Sequence, residues 1–189
     1  MELKDLILKN RSYRRFYEDH EISLTILREL VDLARLSPSG GNLQPLKYKL
    51  ANDAGMNQKI FPCIGWAGYL TNWPGPDEGE RPSAYIIMLE DSGIKMEVRN
   101  DQGIAAQSIL LGAAEKGLGG CIIGSIKKER LREALEIPLH LEILLVISLG
   151  KPKEIVVLES LPPDGNIKYW RDETMIHHVP KRSLEDIII

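Results

Sequence analysis

The chain has 189 residues, a formal net charge of −3, an isoelectric point near 5.9 and 43% hydrophobic residues. This length suits one compact domain, and the acidic balance argues against a nucleic-acid-binding surface. Cys63 and Cys121 lie far apart among apolar residues, so we expect buried free thiols and neither a disulfide framework nor a zinc site. No basic-then-apolar leader opens the chain and the longest apolar run, 143–149, is short, so we expect a soluble cytoplasmic protein.

The N-terminal part of the chain predicts a short helix and then an arginine-rich loop. Residues 1–10 carry apolar side chains at helical spacing between charged ones, and the run Arg11-Ser12-Tyr13-Arg14-Arg15-Phe16 follows them. Clustered arginines are most often solvated surface. The alternative is an anion site, because guanidinium groups bind phosphate oxygens in bidentate fashion and Ser12 adds a neutral donor between them.

The next helix and the loop after it form the region around which the chain is organised. Apolar residues recur at helical steps from Ile26 to Leu36, Ser23 is a favourable N-cap residue, and Pro38 ends the helix. The loop Ser39-Gly40-Gly41-Asn42-Leu43-Gln44-Pro45 combines two adjacent glycines with two side-chain amides. Composition alone favours an ordinary turn between this helix and a strand over residues 47–50.

The segment 61–82 is the least regular part of the chain, and a helical turn is predicted just before it, over residues 57–61. The segment contains Trp66, Tyr69, Trp73 and a run rich in proline and glycine from 73 to 82. Long irregular loops in compact domains are usually functional or mobile. Two interpretations stay open: the aromatic wall of a pocket for flat substrates, or a surface flap fixed by its own aromatic residues.

The middle of the chain predicts the core of an α+β fold with a mixed, mainly antiparallel sheet. Residues 83–89 are almost all apolar, as in a strand covered on both faces, and residues 141–149 predict a second such strand. Asn100 and Asp101 predict the cap of a helix over 102–116, which Gly117 ends. A glycine-containing strand over 117–125 and a charged helix over 127–135 follow.

The last part of the chain, 155–189, has few periodic apolar residues. Such a segment buries itself poorly, and we expect it to wrap over another surface, that of a second subunit. His177 and His178 are adjacent, so on an extended chain their side chains point to opposite sides and do not form a metal pair. The basic pair Lys181-Arg182 comes shortly before the end.

Four stretches together resemble the motifs of the nitroreductase family of flavoproteins, in the family's order. They are Arg11-Ser12-x-Arg14-x-Phe16, Pro38-Ser39-Gly40-x-Asn42-x-Gln44-Pro45, the glycine strand from Gly117 to Gly124, and Lys181-Arg182. Three residues depart from the family pattern: Asn10 stands where an arginine is frequent, Gly40 where a serine is usual, and Leu46 where a tryptophan is common.

The resemblance implies a single FMN-binding domain over residues 1–189. Its fold would be a three-layer α/β/α sandwich whose C-terminal arm, 155–189, is exchanged in a homodimer. It implies that Arg11, Ser12 and Arg14 reach the flavin phosphate, ribityl chain and pyrimidine edge, and that one or both of Lys181 and Arg182 meet the phosphate. It also implies that the loop after Pro38 borders the ring from the partner subunit, and that a main-chain N–H of Ile123 or Gly124 meets flavin N5. The implied cofactor-binding residues are Arg11, Ser12, Arg14, Pro38, Ser39, Gly40, Asn42, Gln44, Ile123, Gly124, Lys181 and Arg182.

The activity that the resemblance implies is an FMN-dependent oxidoreductase. Electrons would pass from NADH or NADPH through flavin N5 to a nitroaromatic, a quinone or a similar acceptor, in a ping-pong sequence. The chain has no recognisable catalytic triad, Rossmann glycine fingerprint or P-loop, so we expect no catalytic side chain and no metal. The alternatives are a flavin store or sensor without turnover, a family member with another flavin reaction, and a flavin-free interaction domain.

Overall fold

The structure is a computed structural model that describes residues 2–94 and 100–189. Within these ranges the helices are α1 (Leu3–Lys9), α2 (Leu24–Leu36), α3 (Ala54–Ile60), α4 (Asp101–Glu115) and α5 (Lys128–Leu135). The strands are β1 (Phe16–Tyr17), β2 (Leu46–Ala51), β3 (Ala84–Asp91), β4 (Gly119–Ile123), β5 (Leu141–Pro152), β6 (Val156–Ser160), β7 (Trp170–Arg171) and β8 (His177–Lys181). None of the helices in the described part is long and apolar enough to cross a membrane.

The main sheet contains the four predicted strands and is centred on the longest of them, β5. It runs in the order β1-β5-β3-β2, and β4 also pairs with β5. Every one of these pairings is antiparallel, with Ile86 opposite Ile147 and Cys121 opposite Ser148. The parallel pairing lies in a second, three-stranded sheet of order β6-β8-β7, where β6 and β8 run parallel.

Alternate residues of β3 bury themselves on opposite faces of the main sheet, as the apolar run 83–89 predicts. Ile86 and Met88 belong to a hydrophobic cluster with residues of α2 and α4. Tyr85 and Ile87 belong to a second cluster with residues of α3 and α5. The prediction of a strand covered on both faces is confirmed.

Both ends of α2 and the C-terminal end of α4 lie where the sequence predicts them. The Ser23 side chain accepts the Ile26 N–H at 3.2 Å, and α2 ends before Pro38 as predicted. After α4, Gly117 has φ +73°, and the Leu118 N–H donates to the Ala113 carbonyl at 2.9 Å, which closes the helix with a left-handed glycine.

Two helix starts differ from the prediction. The side chain of Asn100 makes no capping hydrogen bond at the start of α4, and the Asp101 carboxylate faces the loop after Pro38, so the predicted side-chain cap is wrong. The turn predicted over 57–61 is a helix that begins at Ala54, because the Asp53 carboxylate caps it by accepting the Met56 N–H at 2.8 Å. Met1, which the first predicted helix included, lies outside the described residues.

The C-terminal segment of the single chain lies against its own N-terminal half. Its small sheet places His177 on the buried side, 1% exposed, and His178 on the other side near Asp172 and Glu159. The opposite orientation of the two histidines is confirmed. The exchange of this segment between subunits stays a prediction.

Candidate functional site

The arginine-rich loop lies against the start of β4, where two glycines allow close contact. Ser12 forms a bridge with Gly120, and the Tyr13 N–H donates to the Gly120 carbonyl at 3.0 Å. A Cβ atom at Gly119 would lie 2.4 Å from Cδ2 of Tyr13. The glycines of the strand therefore let the loop backbone approach and place Arg14 beside the sheet.

Arg14 is the most buried cation of this loop, at 8% exposure. Its Nη1 donates to the Ser12 carbonyl and to Nε2 of His177, both at 3.2 Å. The guanidinium also lies over the Tyr169 ring, 4.7 Å from the centroid. No carboxylate of the described residues forms an ion pair with it, so its charge is available to an anionic or electron-rich ligand.

Four of the predicted cofactor-binding residues meet around one cavity of about 290 Å³. Arg11, Ser12 and Arg14 line it from the N-terminal loop, and Lys181 lines it from the end of β8. The other lining residues are Asn10, Gln107, Leu110, Ile122, Val156, Tyr169, His177 and Val179. The cavity thus gathers three cationic side chains from opposite ends of the chain. Arg182 is exposed and does not line it.

A second cavity of about 220 Å³ adjoins the first at Arg14 and Ile122, which line both. Ile123 and Gly124 line it from the end of β4, and their contact with a flavin ring stays a prediction. Trp66, near the start of the irregular loop, also lines it. That loop is fixed here because the Gly65 N–H donates to the carbonyl of Ser125 at 2.8 Å.

The loop after Pro38 lies elsewhere in the single chain. Pro38, Ser39 and Gln44 line a separate cavity of about 160 Å³ beside the N-terminus of α4, together with Asp101. Gly40 and the exposed Asn42 belong to the short 3-10 turn between Ser39 and Gln44. One chain therefore does not bring this loop to the two cavities around Arg14.

The residues around Arg14 that the sequence did not predict include Tyr169, His177 and Glu154. Tyr169 packs between Tyr69 and His177 with tilted rings, whose centroids are 4.9 and 5.1 Å away, and so joins the irregular loop to the C-terminal sheet. The buried Glu154 carboxylate accepts hydrogen bonds from the main-chain N–H groups of Arg14 and Arg15. The available signal was the aromatic and cationic composition of 169–171, but only the fold shows what these residues contact.

Burial sets the protonation of two further groups at the site. The pKa of His177 is lowered to about 4 by desolvation and by the positive charges of Arg14, Arg171 and His178, so the imidazole is neutral near pH 7. Burial raises the pKa of the Cys121 thiol, which keeps it protonated and a poor nucleophile. The arrangement can bind and orient an anionic ligand, and the site residues include no activated nucleophile.

The fold and the cavities define an α+β protein in which three cationic side chains line one cavity. The model of the "Nitroreductase family" matches residues 7–67 and 79–151. The chain therefore belongs to the nitroreductase family.

Individual relatives agree with this assignment. A provisionally named NADH dehydrogenase/NAD(P)H nitroreductase from Archaeoglobus fulgidus is 31% identical over 162 residues, which cover 81% of this chain and 87% of the relative. A nitroreductase family protein from Streptococcus pneumoniae TIGR4 has the same fold with a TM-score of 0.72 at 16% identity, over 100% of this chain and 99% of that one. An FMN-dependent nitroreductase from Clostridium difficile R20291 matches in fold with a TM-score of 0.62 at 24% identity, over 80% and 88%.

Proposed function

We propose that this protein is an FMN-dependent oxidoreductase that takes electrons from NADH or NADPH and passes them to nitroaromatic, quinone or similar small acceptors. The observation that carries the proposal is the meeting of Arg11, Arg14 and Lys181 around one cavity that adjoins the glycine-containing end of β4. Family membership supports oxidoreductase chemistry. The relative from Clostridium difficile is itself named as FMN-dependent.

The polar atoms of the site fit such a cofactor. Nε of Arg11, Nδ1 of His177 and Nε1 of Trp66 are buried at the two cavities without a hydrogen-bond partner in the described ranges. The Arg11 and Trp66 nitrogens are always donors, and Nδ1 of His177 is a donor when it carries the ring proton. A buried donor without an acceptor costs free energy, so the site favours a ligand rich in acceptor atoms. FMN offers phosphate oxygens at one end and ring carbonyl and nitrogen acceptors at the other.

The chain's own residues would bind and orient the cofactor. Arg11, Ser12 and Lys181 would bind the phosphate and ribityl end, with Arg182 as a second cation on the same strand end. Arg14 would favour negative charge at the pyrimidine edge, and a main-chain N–H of Ile123 or Gly124 would donate to the ring. FMN, when bound, supplies the two-electron chemistry, which explains why the protein needs no reactive side chain.

The proposal includes a homodimer. The loop after Pro38 lies away from Arg14 within one chain. In the dimer this loop would reach the ring from the partner subunit, with Pro38, Ser39, Gly40, Asn42 and Gln44. Exposed apolar side chains around this loop support a protein interface; they are Leu36, Leu43 and Ile104. The three-layer α/β/α arrangement belongs to the same proposal, as does the exchange of the arm 155–189, which would turn the contacts of Arg14 with this arm into contacts between subunits.

The test is the visible absorption spectrum of the purified protein, recorded after reconstitution with FMN and again after anaerobic NADH or NADPH. Flavin bands that bleach with either nicotinamide, followed by reoxidation with a nitroaromatic or a quinone, are the expected result. Flavin bands that persist with both donors would replace the reductase with a flavin store or sensor. A colourless protein that does not retain added FMN would contradict the proposal altogether.

A further inference from the structure

The hydrogen bond between Arg14 and His177 fixes the tautomer of the histidine. Nη1 of Arg14 lies 3.2 Å from Nε2 of His177. A guanidinium has donors and no acceptor, so Nε2 must accept this bond and the ring proton must lie on Nδ1. Nδ1 is buried and finds no acceptor in the described part of the chain, although His177 lines the cavity of about 290 Å³.

The imidazole is fixed from several sides. β8 pairs with β6, and the His177 N–H donates to the Ile155 carbonyl at 2.8 Å. The Tyr169 ring lies 5.1 Å from the imidazole and also receives the Arg14 guanidinium on its face. Because the residue is only 1% exposed, bulk water is a poor partner for its free N–H.

We propose that His177 is a ligand-binding residue that acts as a pair with Arg14: its Nε2 positions the guanidinium, and its Nδ1–H donates an uncharged hydrogen bond to an acceptor atom of the bound cofactor. The inference rests on the proposed function, in which the cofactor is FMN. A neutral donor suits this position because a second positive charge would repel Arg14. The histidine thus adds a directed hydrogen bond while the arginine supplies the charge.

The adjacent histidine provides a matched control. His178 lies on the same strand, faces away from the cavity, stacks on Trp170 at 4.1 Å and contacts Asp172 and Glu159. The test compares wild type, H177F, H177Q and H178Q by titrating each apoprotein with FMN and following flavin fluorescence. We expect a loss of affinity of tenfold or more for H177F, partial recovery for H177Q, because an amide can both accept and donate, and wild-type affinity for H178Q.

A measurement on the wild-type protein needs no substitution. In ¹⁵N-labelled protein, long-range proton–nitrogen correlation spectra report which ring nitrogen of His177 carries the proton. We expect the Nδ1–H form in the apoprotein and a shift of that N–H when FMN is added. An Nε2–H form, or an N–H unmoved by bound FMN, would overturn the inference, as would wild-type affinity in H177F. A wild-type protein that binds no FMN would overturn the proposed function as well, which separates the two failures.

Discussion

The Ser39 hydroxyl donates to Oδ2 of Asp101 at 2.6 Å, and this bond joins the loop after Pro38 to the first turn of α4. Oδ1 of the same carboxylate accepts the Gly40 N–H at 3.0 Å, and Oγ of Ser39 accepts the Gln44 N–H at 2.9 Å. The serine therefore uses its donor within the chain. In the single chain the Ser39 hydroxyl therefore stabilises the conformation of the loop. A contact between Ser39 and a cofactor stays a prediction.

Asp101→Ala should destabilise the protein, because it removes both acceptors from the loop and leaves the Ser39 hydroxyl and the Gly40 N–H without them. Hydrogen bonds to a charged group contribute about 1.5–3 kcal/mol, so we expect a loss of that order in the free energy of urea unfolding. Asp19→Ala is the control, since Asp19 is exposed and its side chain makes no hydrogen bond in the described ranges. Equal stability of the two variants would show that the carboxylate does not fix the loop.

Arg14→Ala should weaken FMN binding markedly while the protein stays folded. Loss of one charge-assisted hydrogen bond of about 1.5–3 kcal/mol corresponds to roughly a 10- to 100-fold rise in the FMN dissociation constant. Titration of the apoprotein with FMN measures this, and Arg130→Ala on the exposed side of α5 serves as the control. Unchanged flavin content in the Arg14 variant would remove this residue from the site.

The two glycines at either end of β4 should respond differently to alanine. A Cβ atom at Gly120 would lie 2.4 Å from the Ser148 carbonyl oxygen, so Gly120→Ala should cost about 1–3 kcal/mol of stability through overpacking. At Gly124 the nearest atom would be Cδ2 of Leu145, 4.0 Å away, so Gly124→Ala should change stability by less than about 0.5 kcal/mol. Because Gly124 lines the cavity beside Ile123, its variant should instead lose FMN affinity.

Unfolding measurements and FMN titrations on both variants distinguish these roles. A destabilised Gly124→Ala protein would point to packing at this position, and a stable variant with wild-type affinity would show that the strand end does not approach the ring.

The sequence predicted the elements whose signals are local. Ser23, Pro38 and Gly117 mark helix ends through the local chemistry of the residue itself. The apolar run 83–89 has the composition of a strand that is covered on both faces, and it forms β3. Asp53 carried the same kind of local signal and was missed. Asp101 misled because an acidic residue at a helix start is usually a cap, whereas here its partners come from a loop sixty residues earlier.

The part of the site that the sequence left open depends on long-range packing. The resemblance named Arg14 and Lys181, but nothing local indicates that Tyr169 and His177 would cover Arg14. Strands β6 and β8 pair across about twenty residues of chain, and their five-residue sequences have little periodicity of their own. The pairing of these strands with each other and with β7 is a contact between distant residues, which local periodicity does not encode.

Stability should fall in acid partly through Glu80. Its carboxylate accepts from Nη2 of Arg15 at 2.7 Å and pairs with Nζ of Lys153 at 3.0 Å, and the hydrogen bond from Arg15 is the main reason that its pKa is lowered to about 2. A lowered pKa in the folded state stabilises the protein above the unfolded value of about 4.5, and this contribution disappears as the pH falls through about 2.

Glu80→Gln cannot titrate, so its unfolding free energy should depend less on pH than that of wild type between about pH 4.5 and 2. Urea unfolding at several pH values in this window measures the difference between the two proteins. Parallel pH profiles would show that the ion pairs of Glu80 do not contribute to the acid sensitivity.

Glu154 and Arg171 should be strongly coupled, because both are buried and each compensates the charge of the other. Oε2 of Glu154 lies 3.1 Å from Nη2 of Arg171, and the side chains are 0% and 7% exposed. Removing one member of a buried pair leaves an uncompensated charge, so Glu154→Gln and Arg171→Gln should each cost about 3–5 kcal/mol of unfolding free energy.

The double variant should cost less than the two single losses together, with a coupling energy of about 0.5–3 kcal/mol. Urea unfolding of the four proteins completes the double-mutant cycle. Arg171 also lies over the Trp73 ring at 4.6 Å, so its single variant loses this contact with the irregular loop as well as the charge pair. Strictly additive losses would mean that the two charges are not coupled, and that the cost of Arg171→Gln comes from its other contacts, among them the Trp73 ring.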